Sequence, residues 1–175
     1  LPAWEVLQTI EAIGGIEVQT GVEIGASVSL AELEERHDAL FLAFGLGPDS
    51  RLAVEGAQLS GVEGAVDFIE AMKTGTVDLS DVELEVVIGG GNTALDVVRE
   101  LKGLGVRSVT MAYRGTEAKM SGYAHEWKAA KVEGVVPAWQ VQPVGFEGDD
   151  GVVTGVRCVR LDRDKKPIAG SEHVM

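Results

Sequence analysis

One cysteine, Cys158, stands in 175 residues. That excludes a disulfide framework, a zinc cluster or iron–sulfur ligation within this chain. No apolar run approaches the roughly 20 residues of a membrane span, so no membrane role is expected and a soluble cytoplasmic protein is the default. Basic residues are scarce: 15 against 28 acidic, a net charge of −13. A nucleic-acid partner is therefore not expected, because such binding rests on neutralising phosphates. Internal repeats and low-complexity tracts are also missing. His37, His125 and His173 stand alone, without a carboxylate or serine partner at a telling spacing, and read as surface or structural residues.

What the sequence holds in excess is glycine, 23 residues, in a chain 45% hydrophobic and 25% charged. This composition fits a globular α/β protein with many tight turns. Charge is unevenly spread: residues 1–98 carry a balance of −15 and residues 99–175 one of +2. Seven basic residues lie between Arg99 and Lys131. An anionic ligand favours that side, although a solvated helical face accounts for some of those charges equally well.

These cations directly follow the most informative stretch, VVIGGGNTALDVVREL, Val86 to Leu101. A β-branched run ending at Ile88 reads as a buried parallel strand. Then comes Gly89-x-Gly91-x-x-Ala94, a glycine fingerprint with Gly90, Asn92 and Thr93 between its fixed places. Ala94, Leu95, Val97, Val98 and Leu101 follow on one helical stripe. The first Gly permits a turn, the second lets a pyrophosphate approach bare backbone, and the small third residue lets helix and strand pack closely. The helix N-terminus adds free N–H groups and a positive dipole end. The alternative is a purely structural βα turn.

Coarse reading places a helix at Trp4 to Ile13 and a strand or two in Gly15 to Gly25. Ser29-x-x-Glu32 is a capping box opening a short helix through Glu35. Asp38 to Gly45 (DALFLAFG) reads as a buried strand, Asp49 to Val62 as irregular and Gly64 to Lys73 as an amphipathic helix. After the glycine loop come a strand at Arg107 to Tyr113, a loop at Gly115 to Gly122 and a helix at Tyr123 to Lys131. From Val135 the texture changes to period-two alternation around Asp149-Asp150-Gly151, an antiparallel hairpin. Cys158 within it reads as a small apolar filler, and Trp4, Trp127 and Trp139 as packing residues. The expected fold is an α/β, Rossmann-like dinucleotide-binding lobe with a parallel sheet and an antiparallel hairpin.

The second strand of such a unit ends at the adenosine ribose, where an acid selects NAD and an Arg accommodates a 2′-phosphate. Here the strand ends in Arg114, 25 residues past Gly89. NADP is favoured over NAD; a solvated Arg at a strand end is the alternative.

Taken together, LPAWEV, GVEIG, LAELEERHDALFLAFGLG, GVEGAVDFIEAM, VVIGGGNTALDVVREL, SVTMAYRGTEAKMSGYAHE, AAKVEGV and GVVTGVRCVRL resemble the glutamate synthase small (β) subunit family. Relatives of that family include the electron-entry domain of dihydropyrimidine dehydrogenase and adrenodoxin-reductase-like enzymes. The resemblance implies an NADPH-dependent flavoprotein oxidoreductase, with electrons passing from NADPH to FAD and on to iron–sulfur centres held by other parts or a larger subunit. It implies that Gly89, Gly91, Asn92, Thr93 and Ala94 lie in the NADP pyrophosphate loop. It gives Arg114 the first place of an Arg pair gripping the 2′-phosphate, puts Glu126 near the adenosine end, and sets Ala43 and Gly45 in a strand-end motif meeting FAD.

Three positions depart from the family pattern. The second Arg is Gly115, which weakens the 2′-phosphate site; Ala-Thr-Gly is Ala43-Phe44-Gly45; Met-Pro is Met120-Ser121. A flavin-type glycine fingerprint and a cysteine-rich segment are missing. The chain is accordingly expected to be a middle piece: residues 1–80 a partial flavin lobe and connecting segment, 81–165 the NAD(P)-binding domain, 166–175 a return toward the flavin lobe. No residue is assigned as catalytic, since hydride transfer between nicotinamide and flavin needs positioning rather than a protein acid or nucleophile. A non-catalytic nucleotide-binding module is the competing function. An adenosyl-cofactor methyltransferase would want an acid where Arg114 stands.

Overall fold

The computed structural model describes residues 3–45, 47 and 49–175. The chain divides into two compact units, Leu1–Leu46 and Gly47–Met175.

In the first unit, helix α1 spans Ala3–Ile13 and helix α2 spans Leu30–Arg36. The capping box is formed: the Ser29 hydroxyl accepts from the Glu32 N–H at 3.2 Å, and the Glu32 carboxylate accepts from the Ser29 N–H at 2.9 Å. The strands expected in this unit do not form. Residues 15–25 turn at Gly15, Gly21 and Gly25, all with positive φ, and make only an isolated bridge from Ile24 to Val28. Residues 38–45 run without a ladder, with Phe41 94% and Phe44 74% exposed. A parallel strand needs neighbours along its edges and cover on both faces. Among the described residues of this unit nothing provides either. Ala43 and Gly45 therefore lie in an exposed, unpaired segment.

The second unit begins with irregular chain, then helix α3 at Ala65–Thr74, closed by Gly75 in the left-handed region. Strand β1 (Leu84–Ile88) leads through the glycines into helix α4 (Asn92–Gly103) and strand β2 (Ser108–Tyr113). A 3-10 turn at Glu117–Lys119 precedes helix α5 (Ala124–Val132). Strand β3 (Val136–Trp139) pairs parallel to β2, giving a parallel sheet in the order β1-β2-β3. This corrects the reading of Val135 onward as hairpin alone: Trp139 ends a parallel strand, aligned with Tyr113. The hairpin itself is present, as β4 (Val141–Asp149) and β5 (Val152–Arg160), with β6 (His173–Val174) added antiparallel to β5. Residues 47–80 share this unit with the glycine loop, and the C-terminal segment joins it through β6.

The core explains the order. All five residues of the α4 stripe are buried, with Leu95 and Val98 fully so, beside Val109 and Met111 of β2 and Trp127 and Ala130 of α5. Each fully buried Leu or Val contributes about 1.5–3 kcal/mol, so this face holds α4, and with it the glycine loop, against the sheet. Among the described residues no helix is long and apolar enough to cross a membrane.

Candidate functional site

The three glycines between β1 and α4 differ in what surrounds them. Gly89 has φ +146°, a conformation L side chains rarely adopt, and a Cβ there would stand 3.2 Å from the Ala94 Cβ. Its N–H donates to the Ala112 carbonyl at 2.9 Å, so the chain turns while still tied to β2. The small residue at 94 is needed for this close approach. Gly90 is buried, and a Cβ there would meet the Tyr113 ring at 2.6 Å. Gly91 is unlike either. Its φ of −91° suits any residue, and the nearest atom to a Cβ is the Ser121 hydroxyl, 3.7 Å away. No packing demand of the protein explains a glycine at 91.

Gly91 is also the N-cap of α4, and no side chain caps it. The first N–H groups of a helix have no partner within the helix, and there the dipole is positive. The loop thus joins accessible backbone to an anion-favouring helix end.

The following loop is fastened to this one. Gly122 N–H donates to the Gly90 carbonyl at 3.0 Å, and Tyr123 N–H donates to the Asn92 side-chain oxygen at 3.0 Å. The Asn92 carboxamide oxygen is thereby engaged with the protein. Thr93 is exposed. Arg114 is exposed at the end of β2 and, among the described residues, pairs with no carboxylate. Glu126 lies in the first turn of α5, half-buried, and its Oε2 is buried with no hydrogen-bond partner among the described residues. It sits close enough to Arg99 to help hold that guanidinium's pKa up, after the larger effects of the Glu133 hydrogen bonds and charge. A surface depression of about 510 Å³ beside Arg99 and Glu133 is lined by charged residues of α4 and excludes the glycine loop.

Sequence reasoning overlooked Tyr113. Its ring fills a slot whose opposite wall is Gly115, where a Cβ would stand 2.6 Å from ring carbon Cε1. The hydroxyl donates to the Lys119 carbonyl at 3.0 Å, and Trp139 meets the ring edge-on at 6.2 Å. Gly115, flagged as a departure, was the available signal: beside a large aromatic residue, a glycine often marks close packing. Trp127 was rightly read as packing. Its indole N–H donates to Glu117, which also takes Lys131 at 2.7 Å. The Trp127 and Trp139 rings meet edge-to-face.

A strand–glycine turn–helix–strand unit with an open second glycine invites comparison with known nucleotide-dependent enzymes. The pyridine nucleotide-disulphide oxidoreductase pattern matches residues 7–170. The chain belongs to that family. It is 38% identical to the glutamate synthase [NADPH] small chain of Escherichia coli (strain K12), over 92% of this chain and 38% of that protein. It is 35% identical to the protein of the same name from Azospirillum brasilense, over 86% of this chain and 33% of that one. With the NADPH-Fe(3+) oxidoreductase subunit beta of Geobacter sulfurreducens (strain DL-1 / KN400) the identity is 33%, over 92% and 26%. The chain thus spans about two fifths or less of the length of these relatives. Thioredoxin reductase from Lactococcus lactis shares the fold, with a TM-score of 0.52 at 22% identity, covering 73% of this chain and 39% of that one.

Proposed function

We propose that this chain is the NADPH-binding part of a flavin-dependent oxidoreductase, similar to the glutamate synthase small subunit, that passes hydride from NADPH to FAD and electrons on to iron–sulfur centres. The single observation that carries the reading is the open space in front of Gly91 at the N-terminus of α4. NADPH, when bound, provides the hydride; the chain's own residues bind and orient it.

In this reading the bare backbone at Gly91 and the N–H groups of Asn92, Thr93 and Ala94 receive the pyrophosphate. Gly89 and Gly90 shape the turn that leaves them accessible, and Asn92 anchors the neighbouring loop through Tyr123. Arg114 takes the 2′-phosphate, for which a guanidinium offers paired donors. Glu126, half-buried in the first turn of α5, is the acid near the adenosine end.

FAD belongs to the complete protein. Among the described residues the glycine fingerprint at a strand-to-helix turn occurs once, and the exposed segment at Ala43 and Gly45 offers no second cradle. The test is calorimetric titration of the chain with NADPH, alongside Gly91→Val. Saturable binding lost in a folded Gly91→Val variant supports the reading; no binding to the unaltered chain, or unchanged affinity in the variant, overturns it.

A further inference from the structure

Gly115 removes the side chain that would stand beside Arg114 at the end of β2. The slot for Tyr113 gives a physical reason, and the same tyrosine is bonded to the backbone of another cationic residue. The Tyr113 ring is held between Gly90 and Gly115, with a hypothetical Cβ on either side only 2.6 Å from a ring carbon. Its hydroxyl oxygen lies 3.2 Å from the point where a Gly115 Cβ would stand, and donates to the Lys119 carbonyl at 3.0 Å. The backbone of Lys119 is therefore tied, through the Tyr113 hydroxyl, to the neighbourhood from which a side chain at 115 would have started.

The side chain of that lysine is uncommitted. Of the cations following the glycine loop, Arg99 pairs with Glu133, Arg107 with Glu83 and Lys131 with Glu117. Lys102 donates to the carbonyls of Val106 and Arg107. Lys119 is exposed and, among the described residues, pairs with no carboxylate. The nearest acid in sequence, Glu117, is engaged by Lys131 and the Trp127 indole.

We propose that Lys119, held by the Tyr113–Lys119 contact, is the second cation of the 2′-phosphate subsite, acting with Arg114 in place of a side chain at Gly115. The inference rests on the reading of Gly89–Ala94 as an NADPH loop. It adds to a selectivity device that the departure at 115 weakens.

The experiment is calorimetric titration of the full chain with NADPH and with NADH, comparing Lys119→Ala, Lys119→Arg, Arg114→Ala and Lys128→Ala. Lys128 is an exposed cation on α5 with no carboxylate partner among the described residues, so it controls for net charge. Lys119→Ala is expected to weaken NADPH about fivefold, the upper end for an exposed ion pair, and to leave NADH unchanged. Lys119→Arg should keep the NADPH/NADH ratio, as should Lys128→Ala. A ratio in Lys119→Ala equal to that of the unaltered chain overturns the proposal while leaving the glycine-loop reading intact. An equal fall in Lys128→Ala also overturns it, since net charge alone would then account for the loss. Failure of the unaltered chain to bind NADPH removes both.

Discussion

Gly90 and Gly91 are adjacent, yet their replacement by alanine should do opposite things. At 91 the backbone is ordinary and the new methyl meets only the Ser121 hydroxyl, at 3.7 Å. The cost to the fold is the poorer N-cap, about 0.5–1 kcal/mol, or a fall in Tm of about 1–4 °C for a chain of this size. If an anion is bonded to the N–H groups behind that methyl, the variant loses charge-assisted hydrogen bonds worth about 1.5–3 kcal/mol. That corresponds to about tenfold to a hundredfold in affinity. At 90 the methyl would stand 2.6 Å from Tyr113 Cδ2, and the ring cannot recoil because the Gly115 backbone lines its other side. Overpacking of this kind costs about 1–3 kcal/mol, so Tm should fall by about 3–10 °C.

Thermal melting and NADPH titration of both variants separate the two effects. Gly91→Ala should be the weak binder with a near-normal Tm, and Gly90→Ala the less stable protein. Unchanged NADPH affinity in Gly91→Ala would show that the open space is not a ligand space. A Gly90→Ala variant melting with the unaltered chain would refute the Tyr113 slot.

Three further outcomes are expected. Burial, and then the neighbouring Glu63 charge, hold the Glu85 carboxyl above its ordinary value of 4.5. The folded state therefore retains this proton to higher pH than the unfolded chain, and stability falls as pH rises from about 4.5 through the raised value. Glu85→Gln should raise Tm at pH 7 and lose that advantage by pH 4; an equal Tm difference at both pH values would contradict this. Tyr113→Phe removes the hydroxyl bond to Lys119 and should cost about 1 kcal/mol, read as a drop of about 2–4 °C in Tm. The freshly purified chain should show no stoichiometric flavin bands in its visible spectrum, because the one glycine cradle among the described residues is assigned to NADPH; bands near one flavin per chain would mean the loop is misassigned.

The features legible in the sequence were those whose cause is local. The Ser29–Glu32 capping box, the α4 stripe and the β1 turn each depend on residues a few positions apart, and each forms as read. Strand β3 was missed because four residues with a proline at 137 carry little pattern of their own. They become a strand through pairing with Thr110–Tyr113. The opposite error befell residues 38–45, an apolar run whose two phenylalanines express a preference that only neighbouring strands can satisfy. Tyr113 was opaque for a related reason. Its slot is built by glycines at 90 and 115, far apart in sequence and brought together by the parallel pairing of β1 with β2. The site was thus readable as a loop and a cation at a strand end, but the link between them was not.

That link changes how the charge near the site should be interpreted. A chain of net charge −13 does not attract a phosphorylated ligand as a whole, and beyond about 8–10 Å salt screens its distant acids from the site. Selectivity must come from cations close by that folding has not already used. Arg99, Arg107 and Lys131 each hold a carboxylate, and Lys102 holds two backbone carbonyls. Their charges are largely satisfied within the protein, and removing them should register mainly as lost stability. Arg114 and Lys119 pair with no carboxylate among the described residues; Arg114 follows β2 directly, and the Lys119 carbonyl accepts from the hydroxyl of Tyr113, the last residue of that strand. Removing them should register as lost ligand. A basic cluster counted from sequence mixes these two populations, and only the hydrogen-bond partners separate the cations that build the lobe from those left to meet a phosphate.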